Sequence, residues 1–451
     1  MKPEPMPLPV RLRRIAALAR SRVGRAELAY AAFNKAWPLL SAVALAHRYT
    51  LGRRTAVVAV VGSFGKTTAT RCIAAALGLA QRQPRDNCRS HLAAAVLLRA
   101  GWRERTVIEV GIDHPGQMAA YARVLRPDVT VVTAIGSEHN RSLGGRDATR
   151  REKSLMVRAL PPGGLAVLNG DDADVAAMRA DSGAPAVTFG TGPGCDVRAL
   201  GVALRWPHGM RFTVEVGGER ADVVLPLPGS EMVYPALAAI AVARAAGVPL
   251  EAAALRLARV RPAPGRLQPV SLPGGATLIR DEFKSTEETI YAALDLLAAV
   301  PARRKVVVLG DVSEPQGRQG PAYRAIGARV AGLADRAVFL GRKTDAYRAG
   351  ARGAGMPGEA IACVGHDVAA AARLVAESLG PGDVVLVKGR DTERLDRVSL
   401  ALAGREVRCS RPLCYFLKTR CEGCSLLGEW AAGALTRHAF PHRETRLRFR
   451  G

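Results

Sequence analysis

The sequence predicts an α/β protein with two mostly parallel sheets, and three observations carry that expectation. Valine-rich runs of four to six residues alternate with alanine-rich helical stretches, as strands buried by helices on both faces require. The run Ala56 to Val61 turns through Gly62-Ser63-Phe64-Gly65-Lys66-Thr67-Thr68 into an alanine-rich helix. The proline- and glycine-rich stretch Arg261-Pro262-Ala263-Pro264-Gly265 then divides the chain into two alternating regions. The architecture expected is a P-loop central domain with a mostly parallel sheet (residues 55–260), followed by a smaller Rossmann-like domain (261–404). A basic helical segment (1–54) precedes them and a Cys-rich basic tail (405–451) follows.

The elements can be justified in order. Residues 8–25 place Leu12, Ile15, Ala16 and Ala19 on one helical face among arginines. That pattern suits a helix packed on the following domain first, and one lying on a membrane surface or another protein second. Leu39 to Tyr49 reads as a second helix. Strands are expected at 56–61, 106–110, 129–134 and 165–168, with a helix at 146–160 carrying Lys153. Shorter β-like pieces at 198–204, 210–216 and 221–225 suit antiparallel additions at an edge, and 236–246 is a helix. Beyond the boundary, strands are expected at 277–279, 305–309, 337–340 and 384–387, with helices at 287–300 and 322–333.

The glycine turn has a direct chemical reading. Glycines let backbone N–H groups close on an anion, the helix start adds positive potential, Lys66 reaches the outer phosphates, and Thr67 can ligate Mg²⁺. Gly62, Ser63, Gly65, Lys66, Thr67 and Thr68 are therefore the expected nucleotide-binding residues. Chemistry in such sheets gathers beyond the carboxyl ends of the strands, where Glu109 and His139 also fall.

The formal net charge is +25, carried mostly by arginine, since only nine lysines are present. The excess is concentrated at the ends: eleven Lys/Arg against two Glu through Arg54, and ten against four from Arg405 onward. Such ends suit an anionic membrane surface or an acidic substrate, or are simply solvated. Aromatic content of 5% argues against a stacking platform for nucleic acid, and no nucleic-acid partner is expected. No secretory signal is evident and no apolar stretch is long enough to span a bilayer, so a cytoplasmic location is expected. The eight cysteines are then thiols or metal ligands. Cys409, Cys414, Cys421 and Cys424 have a spacing that suits a structural Zn²⁺ site, with unmetallated thiols or an Fe–S cluster as the alternatives.

Several separated motifs resemble, in order, those of the Mur ligase family, nearest its D-alanyl-D-alanine-adding branch. They are GSFGKTT at 62–68, EVGIDHPGQM at 109–118, RPDVTVVTAIGSEH at 126–139, REKSLM at 151–156, LNGDD at 168–172, PGR at 264–266, LGDV at 309–312 and LVKGR at 386–390. The resemblance implies an ATP- and Mg²⁺-dependent ligase that phosphorylates a carboxylate acceptor and joins it to an amino acid or short peptide. It further implies that Lys66 holds the γ-phosphate, that Thr67, Glu109 and His139 ligate Mg²⁺, and that Lys153 is carbamylated. Arg266 would lie near the γ-phosphate, Asp281 at the ribose, and Lys388 near the incoming amine.

Three departures temper what the resemblance implies. Residues 229–235, Gly-Ser-Glu-Met-Val-Tyr-Pro, lack the family's histidine and asparagines at the adenine. Glu282-Phe283-Lys284-Ser285-Thr286-Glu287 replaces an asparagine-rich loop. Segment 1–54 stands where the family has a UDP-sugar-binding domain. The competing expectation is a non-catalytic ATP-binding partner protein.

Overall fold

The computed structural model describes residues 12, 15–16, 18–80, 87–138, 140–315, 317–414, 416 and 419–428. Its first sheet grows outward from β1 (Ala56–Val61), which is paired in parallel with β2 (Arg105–Glu109) and β3 (Val129–Val132). The parallel array continues through β4 (Leu165–Asn169), β5 (Ala186–Gly190) and β6 (Val197–Arg205). The antiparallel strands β7 (Gly209–Val216) and β8 (Glu219–Leu225) finish the edge, giving the order β2-β1-β3-β4-β5-β6-β7-β8.

Alternation along β1 sets its two faces. Val58 and Val60 pack beneath α3 (Lys66–Ala76), α7 (Val233–Ala245) and α8 (Leu250–Leu257). Val57, Ala59 and Val61 face α4 (Ser90–Arg99), α5 (Gln117–Leu125) and α6 (Arg146–Arg158). Each buried valine contributes about 1.5–3 kcal/mol, so a run with no polar residue is what a strand covered on both sides needs.

The second sheet has the order β13-β12-β11-β14-β10-β9. Its strands are β9 (Gln268–Ser271), β10 (Thr277–Asp281), β11 (Lys305–Leu309), β12 (Arg336–Phe339), β13 (Ile361–Cys363) and β14 (Val384–Lys388). All pairings are parallel except that of β9 with β10. Helices α9 (Glu287–Ala299), α10 (Gln319–Ala331) and α11 (Thr344–Gly353) cover one face. Helices α12 (Val368–Ala376) and α13 (Asp396–Leu402) cover the other.

Ahead of β1, α1 (Arg22–Lys35) and α2 (Trp37–Tyr49) lie on the first sheet's helices. The buried Arg48 pins them by donating to the carbonyls of Leu125 at 2.9 Å, Thr55 at 3.0 Å and Arg126 at 2.8 Å, and to that of Gly52. His91 on α4 meets the rings of Tyr30 and Phe33. Packing was the first expectation for residues 8–25, through Leu12, Ile15, Ala16 and Ala19, but those four are exposed, and it is Leu18 and Val23 that are buried.

Residues 405–428 run back over α13. There the fully buried Arg397 donates to the carbonyls of Arg394 at 3.1 Å, Cys409 at 2.8 Å, Glu393 at 3.0 Å and Arg411 at 2.7 Å. Leu18 and Val23 pack with Phe416 and Leu426, so segments from opposite ends of the sequence meet.

Candidate active site

The glycine turn at the carboxyl end of β1 depends on both its glycines. Gly62 has φ +146°, and a Cβ there would fall 2.0 Å from Thr133 Oγ1. Gly65, at φ +79°, is left-handed and caps α3, which starts at Lys66, inside the stretch read as the turn. Ser63 ties the turn to the loop after β3. Its N–H donates to the Ala134 carbonyl at 2.7 Å, and its Oγ accepts from the Gly136 N–H at 2.9 Å. The Lys66 ammonium lies back along the turn, donating to the Gly62 and Ser63 carbonyls at 2.9 Å each, and stands 3.5 Å from Glu138.

A cavity of about 300 Å³ opens between the two sheets at their carboxyl ends. Gly65 and Thr68 of the turn, Glu231 and Tyr234 before and in α7, and Arg266, Asp281, Lys284 and Lys388 from the second unit line it. Lys388 and Asp281 are register partners on β14 and β10, and the buried ammonium donates to Asp281 Oδ2 at 2.6 Å and to the Lys284 carbonyl at 2.7 Å. The structure thus pairs two residues expected to serve different substrates. The Arg266 guanidinium stacks on the Phe283 ring, 4.5 Å from its centroid.

Lys153 reaches into the same region from α6. It is 3% exposed, and its amine donates to Ser63 Oγ at 2.8 Å. Burial, reinforced by the nearby Lys66 ammonium, holds it well below the ordinary lysine range. A neutral amine is a nucleophile toward CO₂, which a solvated ammonium is not. Glu109 ends β2 level with Val60, and its Oε1 accepts from Asn87 Nδ2 at 2.7 Å. Thr67 is half-buried at the start of α3. His139 lies outside the described residues.

Four participants were not legible in the sequence. Lys284 is ion-paired with Glu138, joining the two units across the cavity, and loss of hydration lowers its amine to about 8. Glu288 at the start of α9 accepts from the Ser137 N–H at 2.8 Å and from its hydroxyl at 2.7 Å, a second bond between the units. Glu231, in the run lacking the expected histidine and asparagines, has its carboxyl raised to about 8 by its removal from water. The signal for Lys284 and Glu231 was their position inside the divergent stretches. For Glu138 and Glu288 there was none, because an acid beside a helix start is ordinary.

Zinc at the four tail cysteines is not shown by the structure. Cys421 is buried, its N–H donating to Asp396 Oδ2 at 3.1 Å, whereas Cys414 and Cys424 pack against the apolar cluster of Leu18, Val23, Phe416 and Leu426. All eight thiols are free, and among the described residues no three His, Cys, Asp or Glu side chains are grouped to hold a metal ion. Burial, with the Asp396 carboxylate beside it, pushes the Cys421 thiol well up.

Two sheets facing each other across a P-loop cavity define a class, and comparison with known proteins gives the same one. The chain belongs to the Mur ligase family of ATP-dependent, amide-bond-forming ligases. The Mur ligase middle domain matches residues 60–243, and the Mur ligase glutamate ligase domain matches residues 265–390. The UDP-N-acetylmuramoyl-tripeptide–D-alanyl-D-alanine ligase of Mycobacterium tuberculosis is 32% identical over 388 residues, which is 80% of this chain and 75% of that one. Its Escherichia coli counterpart is 29% identical over 298 residues, so that the match spans 64% of this chain and 65% of the relative. Among solved structures, MurF from Acinetobacter baumannii superposes with a TM-score of 0.72 at 25% identity, covering 82% of this chain and 81% of that one.

Proposed function

We propose that this chain transfers the terminal phosphate of ATP to a carboxylate acceptor and then couples the acyl group to the amine of an amino acid or short peptide. The relatives named for UDP-N-acetylmuramoyl-tripeptide and D-alanyl-D-alanine supply the substrate chemistry: a small-molecule carboxylate and a peptide amine. The observation that supports catalysis over a merely nucleotide-binding role is the gathering of three cations around one cavity, Arg266, Lys284 and Lys388, with Lys66 folded along the adjoining turn and the buried Lys153 amine behind Ser63. Attack by a carboxylate on a phosphate needs that neutralisation.

The residues fit both implied groups. The Gly62–Gly65 turn, pressed against Thr133 at Gly62 where no side chain fits and left-handed at Gly65 ahead of α3, suits the phosphates of ATP. Thr67 and Glu109 offer oxygen donors that would hold Mg²⁺, which spreads charge from the transferring phosphate, and the resemblance adds His139 to that set. In this reading Lys66 leaves the turn carbonyls for the outer phosphates, and Lys153 serves as a carbamate. Arg266 neutralises the γ-phosphate, Asp281 meets the ribose, and Lys388 orients the amine through its bond to Asp281. Residues 55–260 and 261–404 act as the two closing domains, and the reaction runs in the cytoplasm.

Phosphate release from Mg-ATP, measured against pools of carboxylic acids and amino acids, tests the proposal. We expect release that requires both an acid and an amine, and that falls at least a thousandfold in Lys66→Ala. Nucleotide binding without substrate-dependent release would overturn it in favour of the non-catalytic partner.

A further inference from the structure

Helix α2 is built the wrong way round for a water-facing helix. Its solvent side carries Pro38, Leu39, Ala42, Val43, Ala46 and Tyr49, with Leu39 at 69% and Val43 at 47% exposure. Its one arginine, Arg48, is buried. The apolar face continues past the helix end. Leu51 is 72% exposed, and its carbonyl lies so near Gly101 that a Cβ there would sit 3.0 Å away. The adjoining Trp102 and, at the end of α4, Leu98 are each 76% exposed. His47 ties these parts together through its 2.7 Å contact with the Ala100 carbonyl.

The charges nearby are almost all of one sign. Across residues 18–54 the only acid is Glu27, which is buried, while Arg20, Arg22, Arg25, Lys35, Arg53 and Arg54 are exposed. Arg103 is exposed beside Trp102, with Glu104 the one exposed acid in that turn. Apolar side chains including a tryptophan, fringed by arginines, match a bilayer interface: hydrocarbon and ring below, phosphate around. No helix among the described residues is long and apolar enough to cross a membrane, so the contact is with one leaflet.

We infer that the outer face of α2, with Leu51, Leu98 and Trp102, docks this protein on the surface of an anionic lipid bilayer. A neutral protein partner would leave the arginine fringe without a role, and a second copy would set like charges against each other.

Co-sedimentation of the full chain with phosphatidylglycerol–phosphatidylcholine vesicles, compared with pure phosphatidylcholine, tests the inference. Binding is expected to the anionic vesicles, to weaken as salt rises, and to fall roughly a hundredfold in Leu39→Asp/Val43→Asp, which loses two buried apolar contacts and gains two charges. Substrate-dependent phosphate release by that variant away from vesicles should be unchanged, which shows that it folds. Tryptophan emission should shift to the blue on binding, and Trp102→Phe should remove that shift. Failure to bind anionic vesicles overturns the inference, as does undiminished binding by the folded double variant. A concentration-dependent dimer abolished by the same substitutions would overturn it by assigning the face to a second copy.

Discussion

Glu231 lines the cavity from within the run that lacks the family's histidine and asparagines. A carboxyl that keeps its proton to about pH 8 presents one O–H donor and one carbonyl acceptor, the pair that an amide side chain offers to an adenine edge. As pH rises through 8, that proton leaves, the donor is lost, and a further negative charge appears in the cavity that Asp172, Asp281 and Glu288 also line. Nucleotide affinity, measured by calorimetry, should therefore be flat from pH 6 to 7.5 and decline above about 8. Glu231→Gln, which keeps donor and acceptor at every pH, should abolish the decline. Lys153 makes a different demand. If its function is that of a carbamate, Lys153→Ala should lose activity on the order of a hundredfold and recover part of it with formate or acetate, small anions that fit the space left behind. Absence of recovery would assign the amine a purely structural bond to Ser63.

At the scale of elements, Arg397 ties the C-terminal segment to α13 through its bonds to the Cys409 and Arg411 carbonyls, while its other two bonds go to Glu393 and Arg394 just before the helix. Arg397→Ala should cost about 3 kcal/mol and expose residues 405–428 to limited proteolysis while β9–β14 stay protected. Elements of this kind explain what the sequence could and could not foretell. Buried parallel strands were readable because valine runs admit few other structures, and Lys305–Leu309 was placed to the residue. Helix α3 was started too late because Lys66-Thr67-Thr68 reads as loop until Gly65 is known to be left-handed. β5, β9 and β13 were missed because they are short and only half-buried, with burial supplied by neighbours far away in sequence. The turn, Lys153, Arg266 and Lys388 were singled out through local motifs. Glu138 and Glu288 act only through partners in the other unit, which no local pattern encodes.

For the whole molecule, the Glu138–Lys284 and Ser137–Glu288 contacts hold the two sheets closed over the cavity. Replacing both acids, Glu138→Ala with Glu288→Ala, should loosen this arrangement. Small-angle scattering should then show a larger radius of gyration for the free variant than for wild type, reduced again by an ATP analogue. Unchanged scattering would mean that apolar packing, not these contacts, sets the domain angle.

The contact of Leu18 and Val23 with Phe416 and Leu426 carries a consequence for biogenesis. On a ribosome adding about 5–20 residues per second, α1 emerges roughly 20–80 s before its partners are made. The first sheet can assemble meanwhile, but the amino-terminal helix has to wait with apolar side chains uncovered. Its last contacts form only after the final cysteine segment leaves the exit tunnel, so a truncated nascent chain would display a basic, sticky helix that the finished protein partly conceals.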